Sequence, residues 1–376
     1  MLTLSFFIFS NSVSAATYYV AGDTGLDTND GSISTPWKTI QKAADTMVAG
    51  DTANVKGGVV YSTISPCFIY QAVVCLKASG SSGNQITFQA WAGTGIPEID
   101  GSNNAYGFTF NFVTASNYTT IKGFKIKDTK SAIYVAGNNI LVTNNIIYDT
   151  LLSSTFGIFG IVGGISSESD SIYIYNNLVY QKYVGIHIDK GVGVIKNNVI
   201  INGTYGIESN SGMYVYLDID YNNSYNNSSS NYYVGILQRP GHDLSVDPKF
   251  ADVSTYNFNL LESSPLIDSG IQLNNVTNDI IENARPLGLG YDIGPYETAF
   301  SNSNQLNNIP ISYYSAPTNL MIQLSTFTGE ATATQFGMRN TYSSILIGDI
   351  NTDGYDDVLV GGRHTVPNGG FLCLFR

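Results

Sequence analysis

One short pattern recurs between Ile121 and about Asn227, and it limits the folds open to this chain more than any other feature. It reads Ile/Val-x-x-Asn-x-Ile/Val: Val142–Asn145–Ile147, Ile174–Asn177–Val179 and Ile195–Asn198–Ile200. Ile121, Phe124 and Ile126 open the series with Phe in the Asn slot, and Ile219, Asn222 and Ser224 continue it in degraded form. The slot positions 124, 145, 177, 198 and 222 are 21, 32, 21 and 24 residues apart. A second mark, Ala-Ile or Gly-Ile, leads each Asn: Ile133, Ile165 and Ile186 sit 12 residues ahead, and Ile207 sits 15 ahead. Two marks in fixed phase describe a solenoid, in which each coil rests on the next. Asn stacked on Asn in successive coils satisfies neighbouring amide groups inside a turn.

Composition agrees. The 376 residues suffice for two or three domains or for one long solenoid. Apolar residues make up 43% of the chain, enough for a core, whereas charged residues make up only 12%. Gly, Asn, Ser, Thr and Tyr fill the surface, which favours β-structure with tight turns over helices. A net charge of −12 argues against a nucleic-acid partner, which would need clustered Lys and Arg. It suits neutral glycans and bound cations.

Residues 2–10 are apolar, and Val13-Ser14-Ala15 is a small-residue cleavage pattern, so Met1–Ala15 reads as a secretory signal. The expected location is outside the cell, free or attached to its surface. No other stretch approaches the length of apolar residues that spans a bilayer, and no membrane span is expected. Cys67 and Cys75 suit a small disulfide loop in an oxidising compartment. Cys373 is left over, which points to a partner beyond the end of the chain.

In chain order, Thr17–Ala21 is a short β-rich run, followed by a polar loop from Gly22 to Gly31. Pro36 then opens a helix, WKTIQKAADTM, with Ile40, Ala43, Ala44 and Met47 on one face. A solenoid must shield the apolar end of its first coil, and one amphipathic helix does that. Ala53–Tyr61 resumes a strand. The segment YYVAGDTGLDTNDGSISTPWKTIQKAADTMVAGDTANVKGG resembles the start of right-handed parallel β-helix proteins related to polysaccharide lyases, in particular the family-nine pectate lyase group. DPKF (247–250), NFNLLESSPLIDSG (257–270) and ARPLGLGYDIGPYE (284–297) resemble the closing segment of the same proteins. The resemblance implies an all-β fold, a right-handed parallel β-helix over 16–297 with a capping helix, and a polysaccharide as partner. Family-nine lyases hold Ca²⁺ with a tight local cluster of Asp and use a Lys as base. No such Asp cluster stands in the ladder region, so no catalytic residue carries over by motif.

Residues 298–316 are aperiodic and rich in Asn, Ser and Pro, a linker. Within 317–376, Gln335-Phe336-Gly337 and ILIGDINTDGYDDVLVGG resemble one Phe-Gly/Gly-Ala-Pro (FG-GAP) repeat of integrin-like β-propellers. Asp349, Asn351, Asp353 and Asp357, with Tyr355 in the same run, set oxygen ligands at the spacing of a Ca²⁺ loop, and Gly354 allows its sharp turn. An EF-hand would want Glu at the twelfth position, which is Val360. One blade cannot close a propeller, so this unit is incomplete as it stands.

Phasing the coils on their Gly-Ile marks stacks the outward residues in columns. One column reads Tyr134, Ser166, His187, Glu208 and the next Ala136, Glu168, Asp189, Asn210. With coils about 4.8 Å apart, Glu168 is expected beside Asp189, His187 beside Glu208, and Lys190 at the strand's end. Such a patch offers paired carboxylates for acid/base hydrolysis, or for holding Ca²⁺ against a uronate with Lys or His as base. The plainer alternative is a solvated face with a salt bridge to Lys190. A further column, Asp128, Asp149, Gln181 and Asn202, reads as a solvated turn amid Lys122, Lys125, Lys127 and Lys130. Tyr173, Tyr175, Tyr180 and Tyr183 suit sugar stacking or ordinary strand formation, the latter being the stronger expectation. Two functions stay open: a monomeric glycan-contacting or adhesive surface protein, and a polysaccharide lyase or hydrolase using Glu168, Asp189, His187 and Lys190.

Overall fold

The computed structural model describes residues 14–110, 116–149, 156–161, 171–209, 215–233, 241–300, 343–348, 357–363 and 370–375. The chain forms two compact units, residues 1–308 and 309–376.

In the first unit each coil from Thr52 onward contributes a strand to each of three parallel sheets. Sheet one contains Tyr70–Leu76, Tyr106–Phe110, Ser131–Ala136, Phe156–Ile161, the first half of Val184–Lys196, Tyr205–Ser209 and Ser230–Tyr233. Sheet two runs from Thr17–Val20 through Thr52–Val55, Ile86–Ala90, Thr119–Lys122, Ile140–Thr143 and Ser171–Tyr175. It continues through the second half of Val184–Lys196 to Val215–Asp220. Sheet three stacks Val60–Tyr61, Glu98–Asp100, Lys125–Lys127, Ile146–Tyr148, Leu178–Tyr180, Val199–Ile201 and Asn223–Tyr225. This is a parallel β-helix, as the two phased marks require.

The marks are the inward positions. Phe88, Ile121, Val142, Ile174, Ile195 and Ile219 stand in register on sheet two, and Ile99, Ile126, Ile147, Val179 and Ile200 on sheet three. Ile133, Ile158, Ile186 and Ile207 do the same on sheet one, and all of these side chains are buried. The residue before each of these last Ile is small for a steric reason. A Cβ on Gly185 would meet Ile200 Cγ2 at 2.2 Å, and one on Gly157 would meet Val179 Cγ1 at 2.5 Å. Sheet three fills the space that a side chain would need.

One mark is displaced from its expected place. In the long coil the chain uses Gly157-Ile158, not Gly164-Ile165, to continue the column. Ile165 keeps the 12-residue spacing to Asn177 whereas Ile158 lies 19 residues ahead of it, so the pairing of strands overrides the spacing. Phe156–Ile161 is therefore a strand, and the extra residues of this coil lie on either side of it.

The Asn slot forms a continuous ladder. Asn145, Asn177 and Asn198 each donate from Nδ2 to the Oδ1 of the next Asn at 3.0 Å. Each also gives its backbone N–H to that same oxygen at 2.9 to 3.0 Å. Phe124 N–H starts the ladder on Asn145, and Asp243 ends it by accepting from Asn222 N at 2.7 Å. The residue before each ladder Asn, namely Asn144, Asn176 and Asn197, adopts the left-handed conformation, with φ of 51°, 54° and 58°. Asn tolerates that region better than other side chains do.

The capping helix spans Ile40–Thr46, with Thr39 Oγ1 accepting from Lys42 N at its start. Its buried Gln41 meets the first strand of sheet one on both sides: Cys75 N–H donates to Gln41 Oε1 at 2.7 Å, and Gln41 Nε2 donates to Cys75 O at 3.2 Å. The helix thus occupies the place of a preceding strand. Beside it, Cys67 and Cys75 form a disulfide.

Residues 241–300 fold back over the outer side of sheet three. Phe258, Leu260, Leu266, Ile267, Ile280 and Ile293 pack on Ile146, Tyr148, Leu178, Tyr180, Val199 and Ile201. Asn144, Asn176 and Asn197 hold this segment by donating to Asn278 O, Gly294 O and Ile271 O at 2.8 to 3.0 Å. Arg285 and Glu297 form a buried pair within it. No helix among the described residues is long and apolar enough to cross a membrane.

The turn expected to be solvated is not. Asp149 is 1% exposed and pairs with the buried Lys182 of the next coil at 2.6 Å, because Lys182 extends inward to meet it. Lys127 instead pairs with Glu98 and Asp100 at the open end of sheet three.

The second unit contains an antiparallel sheet of Ser343–Gly348, Asp357–Arg363 and Gly370–Phe375. Met1–Val13, most of the linker and residues 349–356 lie outside the described residues.

Candidate functional site

The outward column of sheet one reads Thr109, Tyr134, Phe159, His187, Glu208, Tyr233 in register. Its rings stack: Tyr134 on Phe159 at 4.4 Å between centroids, and Phe159 on His187 at 4.8 Å, with interplanar angles of 21° and 13°. Phe159 therefore occupies the place that phasing assigned to Ser166, a direct result of the shifted Gly-Ile mark. Glu168 lies outside the described residues.

His187 and Glu208 meet as the sequence implied. His187 Nδ1 lies 2.8 Å from Glu208 Oε2, with the imidazole 7% and the carboxylate 18% exposed. Asp189 is positioned by a feature invisible in the sequence. Gly160 pairs with Ile188 and Ile161 with Lys190, so a bulge leaves no residue of the neighbouring strand opposite Asp189. Bulges re-aim side chains, and here Asp189 Oδ1 comes to 3.8 Å from His187 Nε2. Burial pushes the Tyr134 hydroxyl up to about 12, with the charges of Tyr70 and Asp189 adding to the effect. Lys190 is exposed, one residue further along the same strand. The imidazole is thus held between two carboxylates on an outer sheet face, one partly and one substantially open to water.

A tyrosine cluster lies on the same sheet. Tyr205 contacts Tyr183 and Tyr233 at centroid distances of 5.6 and 4.6 Å, and Tyr183 and Tyr233 are 49% and 43% exposed. Tyr233 stands directly opposite Glu208 in the strand register. Of the four tyrosines considered from sequence, Tyr175 and Tyr180 are buried and serve packing, and Tyr173 is half-buried. Only Tyr183 offers an open ring.

The last coil carries a second polar group that the sequence did not single out. His242 stacks on Tyr221 at 4.4 Å and pairs with Asp220 at 2.8 Å. Next to it Asp243, the end of the ladder, accepts from Tyr232 Oη. Burial raises Asp243 to about 6 in spite of the hydrogen bonds it accepts. Among the described residues, no group of three or more His, Cys, Asp and Glu side chains is placed to hold a metal ion. Of the proposed Ca²⁺ loop, Asp349, Asn351, Asp353 and Tyr355 lie outside the described residues, and only the backbone of Asp357 is described. That backbone pairs with Gly348, so the acidic run joins two antiparallel strands.

The fold and this face define a parallel β-helix with an acidic and aromatic outer column. Residues 18–177 match the family model described as "Pel9A-like, right handed beta helix region". No curated protein matches the sequence. Similar solved structures include a rhamnogalacturonan lyase, at 15% identity over 62% of this chain and 66% of that one with a TM-score of 0.30. A GH136 lacto-N-biosidase from Eubacterium ramulus is 14% identical over 52% of this chain and 44% of that one, with a TM-score of 0.34. Pectate lyase Pel9A is 15% identical over 76% of this chain and 97% of that one, with a TM-score of 0.29. The chain thus spans under two thirds of the first two structures, and likenesses this distant carry no argument about activity.

Proposed function

We propose that this protein contacts polysaccharide through the outer side of sheet one, at Glu208, His187 and Asp189, and does so outside the cell. The observation that carries the reading is the meeting of this carboxylate–imidazole–carboxylate group with the exposed rings of Tyr183 and Tyr233 on one sheet. Sugars present hydroxyls to carboxylates and apolar C–H faces to rings, so a site of both kinds suits them. The parallel coils repeat every ~4.8 Å, which lets an extended chain lie along the column. The Cys67–Cys75 disulfide supports an oxidising compartment, as the apolar Met1–Ala15 segment does. For the second unit, the spacing of Asp349, Asn351, Asp353, Tyr355 and Asp357 between two antiparallel strands supports a Ca²⁺ loop of the propeller type.

A second reading is a polysaccharide-degrading enzyme. It is favoured by His187, whose Nδ1 is oriented by Glu208 while Nε2 faces Asp189. A base oriented by one carboxylate is the arrangement proton abstraction needs.

The test is a panel of neutral and acidic polysaccharides, with and without Ca²⁺ or EDTA. It follows binding, reducing ends and the absorbance of unsaturated products. Binding without product supports the first reading, and Glu208→Gln is expected to weaken it about tenfold, the loss of one charge-assisted hydrogen bond. Product that disappears in His187→Ala would establish the second reading. Absence of binding to every polysaccharide would sink both.

A further inference from the structure

Lys182 is the one lysine in the solenoid, among the described residues, whose side chain is fully withdrawn from water, and the glycan site makes no use of it. Its Nζ has three neighbours: Asp149 Oδ1 at 2.6 Å, Thr129 O at 3.1 Å and Thr129 Oγ1 at 3.2 Å. The side chains of Lys182 and Asp149 are 0% and 1% exposed. Asp128, also buried, lies close enough for its charge to act on the amine. The four residues come from three successive coils, since Asp128 and Thr129 follow Lys125–Lys127, Asp149 follows Ile146–Tyr148, and Lys182 follows Leu178–Tyr180.

We propose that Lys182 and Asp149 condense into an amide, an intramolecular isopeptide bond that staples adjacent coils of the β-helix. Desolvating two opposite charges this deeply is costly, and a neutral amine facing a neutral acid is the alternative open to the pair. Burial lowers the affinity of Lys182 for its proton, against the opposing pull of Asp149. Moving the proton from Nζ to Oδ1 across the short contact gives that neutral pair. Thr129 O and Oγ1 still hold the two remaining N–H groups, so the freed lone pair is aimed at the Asp149 carboxyl.

The step is balanced without any other reactant. Nζ adds to Asp149 Cγ and forms the C–N bond. One amine proton passes by way of the Asp128 carboxylate to the departing hydroxyl, the Cγ–O bond breaks, and one water leaves. The product keeps one N–H for Thr129 and carries no charge. Nothing is oxidised or reduced. Dry surroundings favour the product, because the reaction expels water from a site that excludes it.

The experiment is intact mass measurement of the full-length protein after reduction of its disulfide, followed by tryptic digestion under denaturing conditions. The expected result is a mass lower than that of the chain by one water, with a branched peptide joining the segments around Asp149 and Lys182 and no cleavage after Lys182. Asp128→Asn is expected to leave a substantial fraction unlinked, and Lys182→Met to be wholly unlinked. A full-length mass with normal cleavage after Lys182 would overturn the proposal. So would a loss of water that fragmentation places elsewhere, for example as a cyclic imide at Asp30-Gly31. Complete linkage in Asp128→Asn would remove Asp128 from the proton path.

Discussion

Asn145 Nδ2 donates to Asn177 Oδ1 at 3.0 Å, and the backbone N–H of Asn145 reaches the same oxygen at 3.0 Å. One side-chain oxygen thus satisfies two donors of the neighbouring coil. Asn177 Nδ2 also donates to Val142 O at 2.9 Å and Tyr175 O at 3.0 Å, all in a fully buried turn. From Phe124 to Asn198 each coil hangs on the one after it through such an amide.

Asn177→Ala removes these partners together. A buried donor or acceptor left unpaired costs about 1–3 kcal/mol, so the variant is expected to lose about 4 kcal/mol or more. Asn259→Ala removes only an exposed side-chain contact with Asn257 and is expected to change stability by less than about 0.5 kcal/mol. Urea unfolding of the two variants checks the contrast; a loss below about 1 kcal/mol for Asn177→Ala would show the ladder to be dispensable.

Much of this scaffold was legible because an inward residue at every coil must be apolar and a buried turn must satisfy its own amides. Ile121, Val142, Ile174 and Ile195 announce the first requirement, and Asn145, Asn177 and Asn198 the second. The helix was legible for the same reason, through Ile40, Ala43, Ala44 and Met47, all of them buried. The site was less so. His187 and Glu208 meet because they share a column one coil apart. Asp189 and Phe159 depended on a bulge and on a choice between two Gly-Ile pairs, which only the strand pairing makes. Lys182 escaped notice because a lysine in a turn ordinarily faces water, and its inward path depends on Asp149 being there to receive it. The cover over sheet three was foreshadowed only by resemblance: nothing local in Asn144, Asn176 or Asn197 says that their side chains hold a segment some 75 to 135 residues away.

Asp243 takes the place of a ladder Asn, and its ionisation makes the last coil sensitive to pH. Burial raises its pKa to about 6, against about 3.9 in an unfolded chain. The folded state then holds the proton more tightly. Its contribution to stability is most favourable below about pH 4, declines as pH rises through about 6, and levels off above; the span is of order 3 kcal/mol. Asp243→Asn keeps an acceptor for Asn222 N and removes the titration. The variant is expected to be at least as stable as the parent at pH 7 and to lose this slope between pH 4 and 7. An unchanged slope in denaturation curves across that range would place its origin in other groups, such as the buried Asp292 and Glu297.

Asn176 ties the closing segment to the solenoid by donating to Gly294 O at 3.0 Å and Asp292 O at 3.4 Å. Asn176→Gly preserves the left-handed backbone, with its φ of 54°, while removing the tether. Two carbonyls lose a partner, at a cost of about 1–2 kcal/mol. The effect is expected to be local, with faster amide exchange and earlier protease cleavage within residues 241–300 and unchanged protection of the ladder amides. Uniformly faster exchange throughout would mean that the segment and the solenoid open together.

Gly185 tests why a small residue precedes each inward Ile of sheet one. A Cβ there would sit 2.2 Å from Ile200 Cγ2 and 2.7 Å from Gly206 O, and the second of these is backbone that cannot swing aside. Over-packing of this kind costs about 1–3 kcal/mol where side chains can move, and more where the main chain must. Gly185→Ala is therefore expected to destabilise the solenoid by about 3 kcal/mol. Because Gly185 lies two residues from His187, the same shift would also spread the strands that hold His187 against Glu208. Pairing the substitution with Ile200→Val shortens sheet three's side of the clash but leaves Gly206 O in place, so thermal unfolding should recover only in part. Full recovery in the double variant would show that Ile200 alone, and not the close approach of the two strands, requires glycine at this position.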